Sequence, residues 1–139
     1  MFKRILIAND GSEGASRALS GAIRVAKRFQ AELHMISVEE LPRYPETIGE
    51  VIEQREEENH RFEPVIVQAK EQAQAEGLAL VTHVVVGHAV PSIVDFVEQQ
   101  RFDLLVVGYM GHSALYNRLI GSTTDRLVEL APCAVLVIK

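Results

Sequence analysis

Five short apolar runs, separated by stretches with helical spacing, constrain this chain more tightly than any other feature. The runs cover residues 3–8, 32–38, 79–86, 104–107 and 134–138. Val84-Val85-Val86 and Leu104-Leu105-Val106-Val107 are continuously apolar rather than alternating. Strands read this way when both faces are buried, as in parallel sheets covered by helices. Between the runs, Ala15, Leu19, Ala22, Ile23 and Ala26 recur at helical spacing after Asp10-Gly11-Ser12, which supplies a turn and a cap. A second helical region spans about 46–76 and stops at Gly77, with Pro64 expected to kink or interrupt it. Its polar middle, 53–61, reads as a solvated face. Pro91 is expected to open a third helix carrying Ile93, Val94 and Val97. A fourth starts near Ser122, carries Leu127, Val128 and Leu130, and stops before Pro132.

The order β-α-β-α-β-α-β-α-β, with right-handed crossovers, predicts an open, doubly wound, five-stranded parallel α/β sheet with four helices. The 139 residues fit one domain, 1–139. A domain of that size buries roughly two thirds of its unfolded surface and needs no disulfide or metal to fold. Sheets of this kind bind ligands beyond the carboxyl ends of their strands, where the strand order reverses. The segments to inspect are therefore 9–12, 38–41, 86–90 and 108–124.

Composition excludes several classes. The net charge of −5 and scattered basic residues disfavour a nucleic-acid partner. No apolar run approaches a membrane span, and the opening Met1-Phe2-Lys3-Arg4 does not read as a signal peptide. The single cysteine, Cys133, cannot form an internal disulfide. A cytoplasmic location is the expectation.

The fourth run leads directly into Gly108-Tyr109-Met110-Gly111, and nine residues later Gly121-Ser122-Thr123-Thr124 opens a helix. Gly108 and Gly111 let the backbone turn sharply and approach a ligand closely. Gly121, Ser122 and Thr123 sit at a helix N-terminus, where free N–H groups and the helix dipole favour anions. The hydroxyls of Ser122, Thr123 and Thr124 offer further donors to phosphate oxygens. The same residues also fit a plain turn and a helix cap, so local chemistry leaves both readings open.

The spacing Gly108-x2-Gly111-x9-Gly121-Ser122 resembles the glycine motif of ATP-binding universal stress proteins. The resemblance covers essentially the whole chain. Ile5-Leu6-Ile7-Ala8-Asn9-Asp10-Gly11-Ser12 is similar to the family's first strand and turn, and Ala131-Pro132-Cys133-Ala134-Val135-Leu136-Val137-Ile138 to its last strand. The family's fold is adenine-nucleotide alpha-hydrolase-like, with strand order 3-2-1-4-5. The resemblance implies a bound adenine nucleotide, ATP or else AMP or ADP; by ordinary metal–phosphate chemistry, Mg²⁺ or Mn²⁺ would arrive with the phosphates. Asp10 would lie near the ribose, the Val38 backbone would pair with adenine, and Gly87 would border the site. Gly108, Gly111, Gly121, Ser122 and Thr123 would cradle the phosphates. It further implies a homodimer through the last strand, Ala134 to Ile138, and an unidentified downstream protein. Asn9, Tyr109-Met110 and Gly87-His88-Ala89 depart from the family's usual residues at those places.

Other features are open. Asp10 reads as a site residue and also as a helix cap with Glu13 as its capping-box partner, and both can hold because capping through one oxygen leaves the other free. His88 and His112 fall in loops at the strand ends, where a nucleotide contact or a solvated ring both fit; His112 is retained as a binding candidate. Arg118 and Tyr116 lie in the same loop. His34 and His83 sit within strands, and no His/Cys/Asp/Glu spacing marks a protein-held metal site. Cys133 reads as a small buried residue. The chain has no P-loop, dinucleotide fingerprint or nucleophile elbow, and no evident catalytic base. The leading expectation is an ATP-binding stress-response module using nucleotide as a regulatory signal. A slow metal-dependent ATPase or phosphotransfer enzyme, and a nucleotide-independent dimeric interaction protein, are the alternatives.

Overall fold

A computed structural model describes residues 1–40, 48–110 and 120–139; the side chains of 48 and 50–60 are not described. Nine elements follow one another: β1 (Arg4–Ala8), α1 (Glu13–Phe29), β2 (Glu32–Glu40), α2 (Ile48–Ala75), β3 (Leu80–Gly87), α3 (Ala89–Gln100), β4 (Leu104–Gly108), α4 (Ser122–Leu130) and β5 (Ala134–Ile138). The strands form one sheet in the order β3-β2-β1-β4-β5, and every pairing is parallel. This is the expected α/β architecture.

Strand periodicity divides the core in two. Ile5 and Ile7 of β1 point to one face with Leu33, Met35, Leu104 and Val106, where α1 contributes Ala18, Leu19, Ala22 and Ile23 and α2 contributes Ala69 and Ala73. Leu6 points to the other face with Ile36, Leu105 and Val107, where α3 contributes Ile93 and Val97 and α4 contributes Leu127. A strand covered on both faces has no position left for a polar side chain. That explains why β1 and β4 lack the alternation of a half-exposed strand.

The ends of the elements follow from local chemistry. Ser12 caps α1, its Oγ accepting the Ala15 N–H at 3.1 Å. Gln30 ends α1 in the left-handed conformation at φ 54°. Two expected boundaries move. Pro64 does not interrupt α2, which runs through it. The missing proline N–H removes one helical bond, while Phe62, Ala69 and Ala73 on either side are buried and hold that stretch of helix to the protein. Pro91 does not open α3, which begins two residues earlier at Ala89 with His88 as its cap. Pro91 is still in the first turn, where its lack of an N–H removes no intrahelical bond.

Candidate functional site

The sheet order reverses between β1 and β4: after β1 the chain adds β2 and β3 on one side, then crosses over to add β4 and β5 on the other. Beyond the carboxyl ends of β1, β2 and β4 lies a cavity of about 400 Å³. The turn after β1 forms one wall, and Asn9 builds it. Asn9 is 6% exposed. Its N–H donates to the Ile36 carbonyl at 2.9 Å, its Oδ1 accepts the Gly11 N–H at 2.9 Å, and its carbonyl accepts the Ser37 Oγ at 2.8 Å. A polar side chain can be buried here because its neighbours satisfy it. Asp10 then follows on the cavity wall, its Oδ1 accepting the Ser12 N–H at 3.0 Å. The helix cap is Ser12 and not Asp10.

The opposite wall is the exit of β4 and the start of α4. Gly108, Met110, Gly121, Ser122, Thr123 and Thr124 line it. Consecutive carbonyls tie the two parts together. The Gly108 carbonyl accepts the Thr124 Oγ1 at 2.6 Å, and the Tyr109 carbonyl accepts the Gly121 N–H at 2.9 Å. The Thr124 hydroxyl is thus engaged by backbone and is not an added phosphate donor. Gly121 caps α4 without a side-chain hydrogen bond. The first N–H groups of α4 therefore have no intrahelical acceptor and carry the positive end of its dipole.

The sequence-predicted site residues divide clearly. Asp10, Val38, Gly108, Gly121, Ser122 and Thr123 come together on the cavity. Gly87 is buried at the end of β3, where an added Cβ would come within 2.5 Å of the Ser92 Oγ, and it is not among the cavity-lining residues. Gly111 and His112 lie outside the described residues, as do Tyr116 and Arg118. Of the Tyr109-Met110 pair, Met110 lines the cavity, while the Tyr109 ring lies 5.3 Å from the Lys139 ammonium. His88 is exposed, with Nδ1 3.7 Å from Glu40 Oε2.

Helix α2 adds two lining residues that its polar pattern concealed. Arg61 lines the cavity and donates from Nη2 to the Asp10 carbonyl at 3.2 Å, with its guanidinium 5.3 Å from the Phe62 ring. Phe62 is 2% exposed. A single buried aromatic following a charged run was the only available signal. Asp10, Glu40 and Arg61 are the charged residues on the cavity among those described.

Two histidines predicted within strands meet away from this cavity. His34 Nδ1 and His83 Nε2 are 2.9 Å apart across β2 and β3, packed against Phe102 and Phe96. Burial lowers both pKa values, with Arg4 adding to the effect on His34 and His34 to that on His83. No group of three or more His, Cys, Asp or Glu placed to hold a metal occurs among the described residues. Cys133 is half-buried, and burial raises its thiol pKa, which disfavours the reactive thiolate. No helix among the described residues is long and apolar enough to cross a membrane.

The fold is a doubly wound α/β sheet with a cavity at its topological switch point. The match to the universal stress protein family over residues 1–139 makes the chain a member of that family. It is 31% identical to the universal stress protein MJ0531 of Methanocaldococcus jannaschii, over 100% of this chain and 83% of that protein. The solved universal stress protein UspA of Lactobacillus plantarum superposes with a TM-score of 0.91 at 27% identity, over 99% of this chain and 98% of that one. More distant structures share the fold. A universal stress protein in complex with cAMP matches with a TM-score of 0.78 at 23% identity, covering 99% of this chain and 97% of that one. An Arabidopsis thaliana family member with AMP bound matches at 0.68 and 17%, covering 99% and 91%.

Proposed function

We propose that this chain binds an adenine nucleotide, ATP in the first instance, and acts as a nucleotide-dependent regulatory module in a stress response. One observation carries the reading. The 400 Å³ cavity joins Asp10 and Val38 on one side to the open N-terminus of α4 at Gly121, Ser122 and Thr123 on the other. Its volume falls in the range of small-ligand sites. A carboxylate near one end and helix N-terminal N–H groups without intrahelical acceptors at the other suit a ligand with hydroxyls at one end and phosphates at the other. The distant structural neighbours named for cAMP and AMP support an adenine nucleotide as that ligand. In this reading Mg²⁺ or Mn²⁺ comes with the phosphates and keeps most of its waters.

Calorimetric titration with ATP, ADP, AMP and GTP tests this. The expected result is adenine-nucleotide binding that weakens strongly in Asp10→Ala and in Ser122→Ala/Thr123→Ala. Absence of any adenine-nucleotide heat at millimolar ligand overturns it. Single-turnover assays with Mg²⁺ and Mn²⁺ are expected to leave bound ATP intact for hours.

The proposal extends to a homodimer through β5 in a cytoplasmic setting. β5 is an edge strand of entirely apolar sequence, half-buried along most of its length, and Val128 and Leu130 of the preceding helix are exposed. Pairing would cover an edge that otherwise invites aggregation. Sedimentation at micromolar concentration is expected to give the dimer mass, and a monomer would contradict the proposal.

A further inference from the structure

The exit of β4 touches α1 where neither element has a side chain. A Cβ built on Gly14 would lie 2.0 Å from the Met110 carbonyl oxygen and 3.2 Å from its carbon. A Cβ built on Gly108 would lie 2.7 Å from the Gly14 carbonyl carbon and oxygen. Real Cβ contacts essentially never fall to 2.0 or 2.7 Å, and the obstructing atoms are backbone, so no rotamer change relieves them. Glycine disfavours a helix relative to alanine. Gly14 nevertheless occupies the first turn of α1, where only its lack of a Cβ admits the Met110 carbonyl.

Three consecutive carbonyls are thereby fixed. Gly108 O takes the Thr124 hydroxyl, Tyr109 O takes the Gly121 N–H, and Met110 O abuts Gly14. The first two bonds set where α4 begins. The third sets the direction in which the chain leaves β4. Met110, Gly121, Ser122 and Thr123 all line the cavity, as do Ser12 and Ala15 beside Gly14.

We infer that Gly14 is a positioning residue for the phosphate end of the nucleotide site. Its missing Cβ lets Met110 sit against α1, and that contact holds the Gly121–Thr123 turn at its distance from Asp10 and Val38. Gly14 touches no ligand itself. The inference rests on the adenine-nucleotide reading for what the site holds, and on backbone geometry alone for what Gly14 does.

The test compares Gly14→Ala with Gly21→Ala, a substitution in the same helix whose Cβ would meet only the flexible Ile138 side chain, at 2.9 Å. Both are melted first and then titrated with adenosine and with ATP. Gly14→Ala is expected to lose at least tenfold in ATP affinity and less than threefold in adenosine affinity, while Gly21→Ala shows no such split. Without nucleotide, amide exchange at Gly121 is expected to quicken at least tenfold in Gly14→Ala, because its bond to Tyr109 is displaced. If Gly14→Ala does not melt cooperatively, the double variant Gly14→Ala/Met110→Gly is measured instead, since glycine at 110 lets that peptide turn away. It is expected to fold and to show the same split. Equal losses for adenosine and ATP, or unchanged Gly121 exchange, overturn the inference. A wild-type protein that binds neither ligand overturns the nucleotide reading, and Gly121 exchange then decides the role of Gly14.

Discussion

Replacing Thr124 with valine probes the strut between β4 and α4. The side chain is 5% exposed and its Oγ1 donates to the Gly108 carbonyl at 2.6 Å, a normal length for a hydroxyl donor. Valine keeps the shape and removes the donor. Leaving a carbonyl without its partner costs about 1–3 kcal/mol when it is fully buried, an upper bound for the part-buried Gly108 carbonyl. The added methyl returns at most ~0.8 kcal/mol. The net destabilisation is therefore ~0.2–2 kcal/mol, which raises the unfolded fraction by up to roughly 30-fold. For a domain of this size the melting point falls by up to about 6 °C. Urea unfolding followed by circular dichroism measures it directly, with an unchanged m-value confirming that the native state is still compact. Thr124→Ser is the control, because it keeps the hydroxyl and loses only a methyl. A Thr124→Val protein as stable as the wild type, or less harmed than Thr124→Ser, refutes the reasoning, since the hydroxyl would then have no net structural role.

Three further outcomes are expected. Ser12→Ala removes the acceptor for the Ala15 N–H and should cost about 1 kcal/mol of stability in urea unfolding. Leu6→Ala empties the centre of the α3/α4 face at a fully buried position and should cost ~2–5 kcal/mol, enough to leave a partly unfolded population at 37 °C. The His34–His83 pair should make stability fall with acid. Both rings have folded pKa values below the ordinary 6.5, so the unfolded chain takes up protons first as pH drops through that value. The native state loses ground from there down to the depressed folded values. Glu32 and Arg4 are the charged groups acting on His34. Unfolding curves at pH 7.5, 6.5 and 5.5 should show a difference between wild type and His34→Gln/His83→Gln that changes with pH, and a pH-invariant difference would count against the pair.

Much of this was legible in the residues themselves. The run Leu104-Leu105-Val106-Val107 is buried on both faces, as a covered parallel sheet requires, whereas Val84 and Val86 of the equally continuous run in β3 are exposed because β3 lies at the sheet edge. Glycine spacing marked the β4 exit because glycine alone permits certain close approaches. Ser12, Gly77 and Gly121 marked helix ends because capping is local chemistry. Two proline expectations fail: α2 is not interrupted at Pro64, and α3 begins two residues before Pro91. Pro64 is tolerated because neighbouring residues are buried, and a local rule cannot weigh that.

What the sequence by itself determined is the order of elements, the two-sided burial of the central strands, and the turn chemistry after β1 and β4. These depend on residues a few positions apart. Tertiary structure alone decided the rest, because it depends on residues brought together from distant parts of the chain. It set Arg61 and Phe62 of α2 beside Asp10, 51 positions away for the Arg61 bond. It paired His34 with His83, 49 positions apart. It turned Thr124 toward the Gly108 carbonyl and away from phosphate duty, and moved Gly87 off the cavity wall. It also gave Gly14 a reason to be glycine. Neither the helix pattern around Gly14 nor the strand pattern leading to Met110 shows that these two backbones touch, because side-chain periodicity records which face is buried and not how closely two main chains approach.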